Sequence, residues 1–130
     1  MITGFYAGLS GLLMLWLAWK VVQVRQRSNI GIGDGGNPDL QRAIRVHANF
    51  IEYVPLALIM LLILEVTGTP PGFVHIFGFT LFMSRVLHAH GLSSNSGYSK
   101  SRFYGTLGTW LAVAGMAVLL VFSGLMSMVN

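Results

Sequence analysis

Four long apolar stretches, broken by three short polar or glycine-rich intervals, make up the chain. The first runs uncharged from Ile2 to Trp19 and is closed by Lys20, whose stem can extend it by snorkelling toward headgroups. A second stretch begins at Pro38 and stays mainly apolar to Val66, a third follows the turn TGTPPG (Thr67 to Gly72), and the last is uncharged from Phe103 to Val129. A helix needs about 20 apolar residues to cross the hydrocarbon of a bilayer, and each stretch supplies that length or nearly so. The pattern therefore predicts an all-α integral membrane protein, a four-transmembrane-helix bundle forming one domain over 1–130, with spans at 2–23, 38–66, 72–91 and 102–128.

Local signals sharpen the second span. Asn37 is suited to N-cap a helix, Pro38 to stand at its first position and Asp39 to meet the positive end of its dipole. Pro55, inside the same span, should kink the helix or free a carbonyl. Glu65 marks the far interface.

Composition agrees with a membrane location: 54% of residues are hydrophobic and 9% charged, against about 25% charged in ordinary globular chains. The net charge of +4 has a topological explanation. All 8 lysines and arginines lie in or beside the segments 24–37 and 92–101, so the positive-inside rule puts both segments in the cytoplasm and both termini on the opposite side. Basic residues interleaved with spans do not form a nucleic-acid surface. Gly31, Gly33 and Gly36 match a GxGxxG spacing, but no strand precedes them and no βαβ unit follows. With no cysteine in the chain, any thiol chemistry must use a thiol that arrives as substrate. His47, His75, His88 and His90 lack the spacing and neighbouring carboxylates of a metal site, and none is predicted.

Candidate chemistry gathers at the start of the second span. At about 100° per residue, Arg42, Arg45, Asn49, Glu52 and Tyr53 share an arc of roughly 100°. Glu52 is an ionisable group in a spanning segment and calls for a partner. Arg45 lies about 10 Å away along the axis, a separation that leaves a direct pair within one helix unassured and points to a neighbouring helix or a ligand. Arg25, Arg85, His88 and Arg102 belong to the same interface. Taken singly, these arginines read as topology signals or anionic-lipid contacts; a topology signal, however, has no need of an Asn and a Glu one and two turns deeper. Guanidinium groups beside Asn, Glu and Tyr suit a small ligand bearing carboxylates and an amine. A peptide-like thiol such as glutathione has those groups, and other anions remain open.

The string RVHANFIEYVP (Arg45 to Pro55), preceded by GDGG (Gly33 to Gly36) and followed by RVLH (Arg85 to His88), resembles the MAPEG family, membrane-associated proteins in eicosanoid and glutathione metabolism. The likeness is greatest to its small bacterial branch of glutathione-transferase-like inner-membrane proteins. The resemblance implies a homotrimer of four-helix bundles, with glutathione held in clefts between protomers that open to the bilayer. By motif match it places glutathione on Arg45, Asn49, Glu52 and Tyr53, with Arg25, Arg85 and His88 as further contacts, and gives Arg102 the catalytic task of holding the thiolate. The implied activity is a membrane-bound glutathione transferase or peroxidase acting on a lipophilic electrophile or hydroperoxide, with glutathione as substrate and no metal. The alternative is a non-catalytic membrane protein that binds glutathione or anionic lipid headgroups. This chain departs from eukaryotic members at His88 and Leu92, where they carry tyrosines, and in the spacing from there to Arg102.

Overall fold

A computed structural model describes residues 1–94 and 99–129. Its elements are four helices: α1 (Ile2–Ser28), α2 (Pro38–Val66), α3 (Pro71–Ser94) and α4 (Lys100–Val129). All four are long and apolar enough to cross a membrane.

The first helix overruns its expected end at 23, so Arg25 and Arg27 stand on its last turn rather than in a loop. Helical backbone at an interface does not require apolar side chains, and cations there complement the negative end of the helix dipole. The helix stops at Asn29, whose left-handed backbone (φ 54°) turns the chain so that the N–H of Ile30 reaches the Arg25 carbonyl at 3.1 Å. Asn37 then starts α2 as the sequence leads one to expect. Its Oδ1 accepts from the N–H groups of Asp39 (2.9 Å) and Leu40 (3.1 Å), while its Nδ2 donates to Ser28 Oγ at 3.0 Å. One side chain thus caps α2 and ties it to the end of α1.

The second helix continues unbroken through Pro55; lacking an N–H, Pro55 leaves the Ile51 carbonyl without its usual donor. At the far end Glu65 reaches α1: its carboxylate accepts from the backbone N–H groups of Ile2 and Thr3, the latter at 2.7 Å. A charge read from sequence as an interface marker is thus the cap of another helix.

The third helix continues through Ser94, so 92–94, expected in a loop, are helical, and Lys100 and Ser101 already belong to α4. The remainder of that loop, residues 95–98 with Tyr98, lies outside the described residues. Helices α3 and α4 make the most extensive contact in the bundle, and glycine permits it. A Cβ on Gly105 would come within 2.6 Å of both the His88 N and the Ser84 O, backbone atoms that cannot swing aside. Gly115 similarly receives the Phe77 ring. Close approach through small residues is how helices associate where lipid removes the hydrophobic drive.

Two apolar cores result. One, towards Glu65, joins Tyr6, Leu61, Leu64, Val74, Leu81 and Met116; the other, towards Asn37, joins Leu17, Val46, Phe50, Val54 and Ala89. Leu12, Leu15, Ile59, Phe79, Leu111 and Val118 point outward, as a bundle solvated by hydrocarbon requires.

Candidate functional site

Above the second core, α2 and α3 bring together four of the sequence-selected polar residues. Arg85 is only 2% exposed, although it is an arginine in a spanning helix. Its Nη2 donates to Asn49 Oδ1 at 2.7 Å and lies 3.3 Å from His88 Nδ1, one turn on in α3. Its guanidinium carbon stands 5.9 Å from the ring centroids of both Phe50 and Tyr53. Two aromatic faces, an amide oxygen and an imidazole therefore take the place of a carboxylate around this charge. Its Nε is buried without a partner among the described residues.

The outer layer is more open. Arg45 and Glu52, whose direct pairing the axial separation left in doubt, do meet: Arg45 Nη2 is 3.5 Å from Glu52 Oε1, with the two side chains 57% and 51% exposed. Seven residues return to nearly the same helix face, and two long side chains reaching toward each other span the separation. Next to this pair, the Tyr53 hydroxyl accepts a hydrogen bond from Trp110 Nε1 of α4 at 3.2 Å. Trp110 is also a wall of a cleft of about 270 Å³ that holds Arg102, Phe103, Thr106 and Leu107. Trp110 thereby joins the polar layer on α2 to the cleft of Arg102. Sequence alone reads Trp110 as a span-end or packing aromatic; its juxtaposition with Tyr53 reveals the link.

Arg102 is brought beside α3 by Gly91. A Cβ there would meet the Arg102 backbone nitrogen at 2.6 Å, so the residue type lets the start of α4 lie against the end of α3.

Two other arginines go elsewhere. Arg25 donates through Nη1 to the carbonyls of Gly33 (2.9 Å) and Ile30 (3.4 Å) and so anchors the α1–α2 connection. Arg42, although on the arc that includes Asn49, faces α1 and stands 3.9 Å from Asp39. Of the selected set, the structure gathers Asn49, Tyr53, Arg85 and His88 closely, with Arg45 and Glu52 paired alongside and Arg102 across the Trp110 wall. His75 belongs to the opposite end, where it meets the Tyr6 hydroxyl at 3.2 Å. Among the described residues no three His, Asp or Glu side chains are grouped for a metal.

Fold and site together define a polytopic helical membrane protein with a charged, aromatic-lined site at one membrane interface. The chain belongs to the MAPEG family, whose profile matches residues 3–122. It is 36% identical to the inner membrane protein YecN of Escherichia coli strain K12 over 118 residues, 91% of this chain and 88% of that one. The YecN of Escherichia coli O6:H1 matches to the same extent. Like those relatives, the chain is an integral inner-membrane protein.

Proposed function

We propose that the protein binds glutathione at the Asn49–Arg85–Tyr53 layer, activates it as thiolate beside Arg102, and transfers it to lipophilic electrophiles or uses it to reduce hydroperoxides. In this reading three protomers assemble, and each cleft is completed by its neighbour. The observation that carries it is the continuity from Asn49 and Tyr53 through Trp110 to the Arg102 cleft, in a chain of this family.

The division of labour follows from burial. Arg45 and Glu52 are open enough to exchange their mutual contact for a ligand carboxylate and ammonium, respectively. Arg85 is covered, and acts as a positioning residue: by engaging Asn49 Oδ1 it fixes the amide so that its Nδ2 donors are left for a ligand acceptor. Arg25, engaged with its own loop carbonyls, retains further N–H donors that a ligand in a cleft between protomers could use. Arg102 stands in a cleft walled by Phe103, Leu107 and Trp110, where a guanidinium favours a thiolate more strongly than it would in water. With an aryl halide, the thiol proton leaves to solvent, the sulfur forms a bond to the ring carbon, and halide departs with the electron pair of the broken bond. The acceptor arrives laterally from the bilayer.

His88 supports the non-catalytic reading. It is buried beneath Arg85 and presents no hydroxyl where eukaryotic members have tyrosine. Calorimetric titration of glutathione into purified protein in nanodiscs, with aryl-halide turnover measured on the same sample, separates the two. Binding with turnover supports the transferase; binding without it supports a glutathione-binding module; no binding overturns both.

A further inference from the structure

Lys20 lies where two clefts meet. On one side a groove of about 360 Å³ runs between α1 and α3, walled by Leu13, Trp16, Val86 and Ala89, with His90 at its rim. On the other a cavity of about 130 Å³ between α1 and α2 holds Lys20 together with Arg42 and Asp39. Leu13, Trp16, Lys20 and Val24 recur at three- and four-residue steps, so one edge of α1 carries the whole arrangement.

The cations there are poorly matched by the protein. The Lys20 ammonium stands 4.6 Å from the Trp16 ring centroid and forms no ion pair among the described residues. Among the described residues Arg42 has only the 3.9 Å ion-pair contact to Asp39, itself 76% exposed, and its buried Nε has no acceptor. Two cations, one of them with an orphaned donor, therefore share the α1–α2 cavity at the headgroup level, and Lys20 joins that cavity to the apolar groove between α1 and α3. A neutral lipid would fill the groove and leave the charge unmet; a free anion would meet the charge and leave the groove unfilled. We infer that the α1 edge binds one anionic phospholipid, its phosphate between Lys20 and Arg42 and an acyl chain along Leu13, Val86 and Ala89. This lipid site is separate from the Arg102 cleft and does not depend on the glutathione reading.

Native mass spectrometry of the full chain, released from nanodiscs of equal phosphatidylglycerol and phosphatidylcholine, tests it. The wild type should retain phosphatidylglycerol preferentially. Lys20→Gln or Arg42→Gln should each cut that preference about fivefold, the contribution of one interfacial cation, and Leu13→Trp should reduce retention of lipid by filling the groove. Arg27→Gln, which removes an exposed charge away from both clefts, should change neither. Equal retention of the two lipids would overturn the site. An Arg27→Gln loss as large as that of Lys20→Gln would reduce it to general surface charge, and displacement of the lipid by millimolar inorganic phosphate would leave only an anion pocket; either also overturns the proposal.

Discussion

Arg85 and Asn49, separated by 36 positions in sequence, are joined by a 2.7 Å hydrogen bond that links α3 to α2 inside the bundle. Removing the amide should strand a buried guanidinium. Asn49→Ala is expected to lower stability by roughly 2–3 kcal/mol, the scale for breaking a hydrogen bond to a charged group, as read by thermal unfolding in detergent. Asn49→Asp retains an acceptor for Arg85 and should stay folded, yet lose glutathione affinity because the amide donors are gone. An Asn49→Ala protein as stable as wild type would remove Arg85 from its positioning role.

The Arg45–Glu52 pair is open and long, so its rupture should cost at most about 1 kcal/mol. Glu52→Gln therefore separates binding from folding: thermal stability stays near wild type while calorimetric glutathione affinity falls about tenfold, the loss of one charge-assisted contact. Wild-type affinity in an intact oligomer would take Glu52 out of the site.

The α3–α4 contact should tolerate nothing larger than glycine at 105. Gly105→Ala pushes a methyl against the backbone at Ser84 and His88, and a destabilisation of about 1–3 kcal/mol is expected from overpacking. Gly124→Ala meets nothing within 4 Å and should be neutral or slightly stabilising. Equal unfolding midpoints for the two variants would show that the α3–α4 interface yields more readily than its geometry implies.

Orientation can be read by single-cysteine labelling. Gly35 is a poor reporter site, since its φ is +56° and a Cβ would lie 2.8 Å from Ile30 Cδ1. Ile32, 93% exposed in the same loop, serves instead. Ile32→Cys should react with an impermeant reagent only from the cytoplasmic face and Thr69→Cys only from the other. Labelling of both from one face would contradict the four-span arrangement.

Much of this was legible in the residues. Uninterrupted apolar length announced the spans, and Asn37-Pro38-Asp39 announced the start of α2, because each signal is local. What escaped was set by side-chain reach and by partners distant in the chain. Arg25 and Arg27 read as loop by their charge, whereas α1 emerges from the apolar layer still helical. Glu65 caps a helix 62 and 63 residues away, and no periodicity encodes that. The arc of polar residues on α2 was readable, but its edges face different neighbours: Arg42 turns to α1 while Asn49 turns to Arg85. Trp110 gave no signal of its hydrogen bond to Tyr53, since an indole at a span end is equally at home in lipid.

If Arg102 holds bound glutathione as thiolate, the ultraviolet absorbance of the thiolate should appear on binding. A cysteine-type thiol with a pKa of about 8.5 is only a few per cent ionised near neutrality, and lowering that value by about two units makes thiolate the major form. Glutathione added to wild-type protein near pH 7 should produce a saturable thiolate band. Arg102→Ala should bind glutathione within a few-fold of wild type yet lack the band, and its rate deficit with an aryl halide should shrink as pH rises toward the free thiol pKa. Full thiolate absorbance and full rate in Arg102→Ala would rule out thiolate stabilisation by Arg102, leaving it as an interfacial charge that merely borders the cleft.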